Sequence, residues 1–197
     1  MSRPARVIVG ISGASGAAIG LRVLERLAQS AATEIHLVVS PAPQRTLASE
    51  LGPDAIDRAR RLATHCHDPG DIGATTASGS FRTAGMIVAP CSMRTLSAIA
   101  YGQLDDLLVR AADVQLKERR RLVLLARESP LHLGHLRAMA QVTEFGAIVA
   151  PPVPAFYLKP QSIAEIIDQI ALRAIGLVDL ECDDLPIREW PGGDGAA

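Results

Sequence analysis

A glycine-rich segment near the start of the chain has the composition of a turn that binds an anion. In GISGASGAAIG, which begins at Gly10, Gly13 and Gly16 follow at intervals of three, with Ser12 and Ser15 between them. Glycines permit positive φ and close approach of a ligand to backbone N–H groups, and the N-terminus of a following helix attracts negative charge. The spacing therefore predicts a cradle for phosphate or another anion.

The turn lacks the fingerprint of dinucleotide-binding enzymes. That fingerprint needs GxGxxG and, about 20 residues later, an acidic residue after the second strand to bind the ribose hydroxyls. Here the second strand ends in VVSP at 38–41, and the chain has no GK[ST] signature of nucleotide hydrolases. A mononucleotide fits better than NAD, and a turn that binds nothing is the alternative. Ser12 is expected to support the turn, and Ser15 to face the ligand.

A second polar turn, PCSMRTL, follows the apolar run at 86–89. Because Ser92 and Thr95 are three residues apart, both hydroxyls and the free amides of a first helical turn can face one ligand. Taken alone, Ser92 is an ordinary helix N-cap. Cys91 has no histidine nearby in the sequence, and free cysteines are usually small buried apolar groups, so we expect no nucleophile there.

Charged and aromatic side chains follow two further strand candidates. Arg127 and Glu128 come directly after the apolar run at 122–126, and charges at the end of a central strand are expected where they meet a ligand. Tyr157 lies in a loop whose prolines hold it at low entropic cost, and a packing role is the alternative. The charged run at 117–121 is mainly a solvated helix end.

Two histidine pairs have the spacing of metal ligands, His65 with His67 and His132 with His135. For neither pair does the sequence indicate the carboxylate or third ligand that a metal site needs. We therefore expect no metal.

Composition excludes several classes of protein. The 197 residues are 48% apolar and only 3% aromatic, which suits a buried parallel sheet of aliphatic side chains. A net charge of -1 gives no electrostatic footprint for nucleic acid or an anionic membrane. Three scattered cysteines make no disulfide framework, and no signal peptide or membrane-length apolar run is present, so we expect a cytoplasmic protein.

Short apolar runs alternate with helical patterns, which predicts an α/β fold. We expect a three-layer, Rossmann-like, doubly wound and mainly parallel sheet with helices on both faces, whose ligands bind where the strands end. Residues 1–190 are predicted to form one domain, 191–197 a disordered tail and 65–83 a long loop. The expected strands are 6–11, 34–40, 86–89, 122–126 and 147–150, and the expected helices include 17–29, 105–116 and 162–177.

Four motifs, taken in order, resemble the UbiX-type flavin prenyltransferases, a family within the homo-oligomeric flavin-containing decarboxylase-like flavoprotein fold. They are SGASGA at 12–17, PCSMRTLSAIAYG at 90–102, RAADVQLKERRRLVLLARESPL at 110–131 and FYLKPQS at 156–162. The resemblance implies an enzyme that joins a dimethylallyl group, from dimethylallyl (mono)phosphate, to N5 and C6 of reduced FMN. The implied product, prenylated FMN, would serve a UbiD-type decarboxylase, and the implied assembly is a homododecamer with sites at subunit interfaces.

The resemblance also implies the site residues. The implied FMN contacts are Gly13, Ala14, Ser15, Ser40, Ser92, Met93, Arg94, Thr95 and Arg127. The implied contacts of dimethylallyl phosphate are Lys117, Tyr157 and Arg173, and the implied catalytic residues are Ser15, Glu50, Lys117 and Glu128. In this scheme the cations stabilise the leaving phosphate, Glu128 gives it a proton, and either the released phosphate or Ser15 helps to remove the C6 proton. No metal is required.

Two positions depart from the family pattern. Ile72 stands where many members have tryptophan, and Arg94 stands where others have glycine or lysine. Ile72 keeps an apolar wall but weakens any stabilisation of a cation by an aromatic ring, which affects rate and choice of donor more than reaction class.

Proteins with two other functions are expected to have the same fold class. One is an FMN-dependent decarboxylase of a cysteine-derived substrate, which would be expected to have a histidine base and an ASANT-like turn, whereas the segment at 77–81 is ASGSF. The other is a non-catalytic flavin-binding accessory subunit, which would not need the second phosphate site.

Overall fold

The computed structural model describes residues 4–41, 43–180 and 185–186, and the predicted tail at 191–197 lies outside them. Six strands form one parallel sheet: β1 (Ala5–Ile11), β2 (Thr33–Val39), β3 (His65–His67), β4 (Gly85–Cys91), β5 (Leu122–Ala126) and β6 (Ile148–Val149). Their order across the sheet is β3-β2-β1-β4-β5-β6.

Seven α-helices accompany the strands in the described residues. They are α1 (Ala17–Leu27), α2 (Pro43–Leu51), α3 (Ala55–Leu62), α4 (Met93–Tyr101), α5 (Leu107–Lys117), α6 (Leu133–Glu144) and α7 (Ile163–Ile175). None of these described helices combines the length and apolarity needed to span a bilayer.

The core has two layers because the strands are apolar on both faces. In β1, Val7 and Val9 belong to the cluster packed with α1 and α7, whereas Ile8, one residue out of phase, belongs to the cluster packed with α4, α5 and α6. This alternation follows from the period of two in a strand. The predicted three-layer α/β fold is confirmed.

Helix α1 packs unusually close to the sheet. Ile19, Val23 and Leu27 are buried on one face of it, as the periodicity predicts. Gly20 lies so close to β4 that a Cβ there would collide with the carbonyl oxygen of Ala89. The absence of a side chain at this position therefore fixes the spacing between α1 and the strand.

The predicted helix starts have the expected caps. The Ser92 Oγ accepts a hydrogen bond from the Thr95 amide at 3.2 Å, and Ser162 accepts one from the Glu165 amide at 3.2 Å. Predicted strand and helix bounds agree with the structure to within a few residues.

The segment predicted as a loop at 65–83 begins with a strand. β3 consists of His65, Cys66 and His67, which have no apolar alternation, and it forms only by pairing with β2. The remaining residues of the segment contain one turn of 3-10 helix at Thr75–Ala77 and are otherwise irregular.

Candidate active site at the carboxyl edge of the sheet

The strand order reverses between β1 and β4, because the chain builds β1 to β3 in one direction and then crosses to the other side of β1. In parallel sheets of this kind, ligands bind in the crevice at the carboxyl ends of the two strands that flank the reversal. Those ends are followed here by the turns at 12–16 and 90–95. The space between these two turns is called the crevice below.

Ser12 joins the two turns. Its fully buried Oγ donates a hydrogen bond to the Pro90 carbonyl at 3.0 Å and accepts one from the Ser92 amide at 2.7 Å, while its amide donates to the same carbonyl at 3.2 Å. The predicted supporting role of Ser12 therefore has a direct structural basis.

Glu50, at the end of α2, closes the N-terminus of α1. Its carboxylate accepts hydrogen bonds from the amides of Gly16 at 3.0 Å and Ala17 at 2.9 Å. Gly16 has φ of 99°, which favours glycine, and has no side chain to cap the helix. The carboxylate thus supplies the negative charge that this helix end attracts, next to the exposed Ser15.

Other amides at the crevice have no acceptor. Within the described part of the chain, the backbone N–H groups of Gly13, Ser15, Met93 and Arg94 make no hydrogen bond. Backbone donors are strong, obligatory hydrogen-bonding groups, and unsatisfied ones at two helix starts make a site for an anion or for carbonyl oxygens.

Ladder hydrogen bonds bring two further predicted residues to the same edge. The Ser40 amide donates to the Ile11 carbonyl at 3.0 Å, and the Arg127 amide donates to the Cys91 carbonyl at 3.0 Å. The Arg127 side chain is exposed and pairs with no carboxylate among the described residues. The neighbouring Glu128 is also exposed, and its Oε1 accepts a hydrogen bond from the Ser129 amide at 3.1 Å.

Two side chains of the second turn do not point freely into the crevice. The Arg94 guanidinium pairs with Asp106 at 3.2 Å and Asp105 at 3.6 Å, at the start of α5. Cys91 is fully buried, and burial raises the pKa of its thiol to about 12. A thiol that stays protonated agrees with the expectation that Cys91 is not a nucleophile.

Tyr157 and Arg173 line a cavity of about 520 Å³ beside α7. Arg26 and Asp168 form a bidentate ion pair in its wall, with N–O distances of 2.7 and 2.6 Å, and the hydrogen bond to Asp168 raises the pKa of Arg26. Arg173, in contrast, is exposed and has no carboxylate partner within the described ranges. Among the described residues that line the cavity, Arg173 is therefore the cation available for an anionic ligand.

Lys117 lies far from both places. It is the last residue of α5, which begins at the carboxyl edge beside Arg94 and extends about 16 Å at 1.5 Å per residue toward the opposite edge. There its Nζ lies 3.1 Å from Glu118. Because α5 packs on one face of the sheet and α7 on the other, a single chain does not bring Lys117 to Tyr157 and Arg173.

β2 and β3 share a polar cluster that was not predicted from the sequence. Four residues, Glu34, His36, His65 and His67, lie on one face of these strands and form what is called the histidine cluster below. His36 is buried, and burial lowers its pKa to about 4. Burial also lowers the pKa of His67. For Glu34, burial acts to raise the pKa, but hydrogen bonds from Arg6 and His36 outweigh that effect and the pKa is lowered.

The histidine cluster corrects the expectation that no carboxylate or third ligand accompanies His65. Glu34 and His36 supply both, and only the β2–β3 register, which pairs His36 with His65, brings them together. The other histidine pair has a local role, because the Nδ1 of His132 accepts hydrogen bonds from the amides of Gly134 and His135 and caps α6.

Known proteins resemble the chain over nearly its whole length. The Flavoprotein family model matches residues 1–174. The flavin prenyltransferase UbiX of Thauera aromatica is 53% identical over 189 residues, which are 96% of this chain and 95% of the relative. The crystal structure of AnUbiX (PadA1) in complex with FMN and dimethylallyl pyrophosphate has a TM-score of 0.89 and 47% identity, and the match covers 96% of this chain and 99% of that chain.

Two further solved structures bear on assembly and on the alternative functions. A dodecameric FMN-dependent UbiX-like decarboxylase from Escherichia coli O157:H7 has a TM-score of 0.88 and 42% identity, over 95% of this chain and 100% of that chain. The FMN-dependent cysteine decarboxylase TvaF from thioviridamide biosynthesis has a TM-score of 0.61 and 14% identity, over 83% of this chain and 98% of that chain. The second likeness shows the fold alone.

Proposed function

We propose that prenyl transfer takes place in the crevice between β1 and β4. The chain belongs to the Flavoprotein family and, within it, to the UbiX flavin prenyltransferases. The enzyme is a flavin prenyltransferase, and its substrates are FMN and a dimethylallyl phosphate. The observation that supports this location most strongly is the pair of turns joined by Ser12, with unpaired amides on both.

The crevice suits FMN on chemical grounds. The amides of Gly13, Ser15, Met93 and Arg94, which have no acceptor among the described residues, are donors for phosphate oxygens and flavin carbonyls. Arg127 adds a positive charge that no described carboxylate pairs with. When bound, reduced FMN supplies the nucleophilic N5 and C6 atoms. In our proposal, the FMN contacts are Gly13, Ala14, Ser15, Ser40, Ser92, Met93, Arg94, Thr95 and Arg127.

Cations are required around the leaving phosphate of the donor. Breaking an allylic carbon–oxygen bond leaves negative charge on the phosphate, and fixed cations stabilise it best where water is excluded. We assign this role to Lys117 and Arg173, and we propose that the Tyr157 hydroxyl donates a hydrogen bond to the same phosphate. Arg94 can join the FMN contacts through its amide while its guanidinium stays with Asp106.

Carboxylates and a hydroxyl supply the proton transfers. We assign protonation of the leaving phosphate to Glu128, which is exposed at the end of β5. Either the released phosphate or Ser15, beside Glu50 at the start of α1, helps to remove the C6 proton. Glu50 also holds the turn by its two amide hydrogen bonds, which gives it a structural role in addition to a chemical one.

Lys117 must come from another copy of the chain. Since one chain separates Lys117 from Tyr157 and Arg173 by the sheet, a site that contains all three needs an interface. We propose a homododecamer, supported by the dodecameric relative. We propose further that residues 1–190 are one domain, that the protein is cytoplasmic and that a UbiD-type decarboxylase receives the product.

The experiment that tests the activity is anaerobic. Purified protein is mixed with reduced FMN and either dimethylallyl monophosphate or diphosphate, and the flavin mass is measured. We expect the gain of one prenyl unit with the monophosphate. The absence of a mass gain with either donor would refute prenyl transfer and favour an accessory flavin-binding role.

A further inference from the structure

We propose that Glu34, His36 and His65 form a binding site for one divalent transition-metal ion, with Zn²⁺ as the expected occupant. The site lies on β2 and β3, away from the carboxyl edge, so it is separate from the flavin site and does not depend on the proposed function.

The three donor atoms are already close together. The Glu34 Oε1 lies 3.0 Å from His36 Nε2 and 3.4 Å from His65 Nε2, and one ligand atom from each residue lies within 4.8 Å of the others. Tetrahedral Zn²⁺ with bonds of about 2.0–2.1 Å separates its ligands by about 3.3 Å. Two imidazoles and one carboxylate are a known zinc ligand set, and they leave a fourth position for water.

Neighbouring side chains orient these donors. The Nδ1 of His36 lies 2.9 Å from the Nε2 of His67, so when a metal ion replaces the hydrogen bond between His36 Nε2 and Glu34, the imidazole proton can lie on Nδ1 and be donated to His67. Arg6 donates to Glu34 Oε2 at 3.1 Å and leaves Oε1 to the histidines. The Arg6 charge opposes a cation, but it is paired with Glu34 and lies over the Phe81 ring at 4.2 Å.

Side chains alternate between the two faces of a strand, so β3 presents His65 but not Cys66 to the site, and the site is accessible from solvent. His65 is 52% exposed, whereas His36 is buried, so the site opens to solvent on one side. Cys66 faces the other side of β3, where its Sγ contacts the Arg60 carbonyl at 3.5 Å, and is not a ligand.

A metal ion bound at this site would stabilise the pairing of the edge strand β3 with β2. β3 has three residues and one neighbouring strand, and the ion would connect its side chains to those of β2. We therefore expect Zn²⁺ to raise the melting temperature and to leave prenyl transfer unchanged.

The test uses tag-free, FMN-loaded protein treated with EDTA and then dialysed. Titration calorimetry with Zn²⁺ is expected to give one site per chain, and Co²⁺ is expected to give the visible absorption of a tetrahedral complex. His65→Ala removes an exposed ligand and should weaken binding about 100-fold or more, since loss of a hydrogen-bond partner behind a ligand alone costs about 10- to 100-fold. His67→Ala removes such a partner and should weaken Zn²⁺ binding by about 10- to 100-fold.

His132→Asn is the matched control, because it removes a histidine outside the cluster and asparagine is itself a good N-cap. It should bind Zn²⁺ like the unmodified protein. His65→Gln repeats the test if His65→Ala does not fold, as judged by circular dichroism. No Zn²⁺ binding, or equal binding by the unmodified protein and the folded His65 variant, would overturn the proposal.

Discussion

Glu128 is the residue whose proposed role is easiest to isolate. It is exposed, and its only hydrogen bond within the described chain is to the adjacent Ser129 amide, so Glu128→Gln should leave the fold and FMN affinity unchanged. Loss of a general acid should lower turnover by about 10²- to 10⁴-fold. Flavin titration and the anaerobic transfer assay measure the two properties separately. Glu144→Gln, another exposed glutamate, is the control, and unchanged turnover in Glu128→Gln would remove Glu128 from the mechanism.

Cys91 lies next to the crevice but should be unreactive. With a pKa of about 12, roughly one thiol in ten thousand is ionised at pH 8, and the side chain is fully buried. Iodoacetamide treatment of the native protein, followed by peptide mass mapping, should label the exposed Cys66 and leave Cys91 unlabelled. After unfolding, both should be labelled. Equal labelling of both cysteines in the native protein would contradict the structure.

Residue patterns indicate the crevice more directly than the second phosphate site that we propose. Ser12 and Ser92 follow strands directly, so their meeting at one edge is a consequence of parallel strand order. No sequence pattern around Glu50 indicates its contact with the glycine-rich turn, because Glu50 reaches that turn from the end of α2. Lys117 resembles a solvated helix end in both the sequence and the single chain, and only assembly can give it another role.

At the scale of elements, the contact between α1 and β4 positions the glycine-rich turn. Gly20→Ala should destabilise the protein by about 1–3 kcal/mol, because the new methyl group would force the helix away from the Ala89 carbonyl. Thermal melts at equal chain concentration should show a fall of several degrees. Gly176→Ala is the control, since Gly176 is exposed with φ of -66° and accepts alanine without strain. Equal melting temperatures for the two variants would show that the α1–β4 contact is not tight.

Elements with many aliphatic residues were predictable, and the others were not. β4, β5 and the part of β1 after Arg6 are continuous apolar runs, as expected for strands buried on both faces. α2 and α3 each bury only two described residues, so little apolar surface marks them in the sequence. β3 has no apolar pattern at all, and the histidine cluster could not be foreseen without its pairing to β2.

At the scale of the whole molecule, the shared site can be tested by mixing defective subunits. Lys117→Ala and Glu128→Gln chains should each be inactive as pure assemblies. If each site takes Glu128 from one copy and Lys117 from another, random mixed assemblies should recover about a quarter of full activity, because half of the chains supply each intact residue. Co-expression with two different affinity tags provides the mixed assemblies. Activity no higher than that of the pure variants would place both residues in one chain.

The most direct test of the central claim is a crystal structure of the anaerobic complex with reduced FMN and dimethylallyl monophosphate. We expect flavin density between the turns at 12–16 and 90–95, with Arg127 beside it and Lys117 reaching the donor from a neighbouring copy. Flavin bound instead in the cavity beside α7, or a donor phosphate without Lys117 near it, would contradict the account.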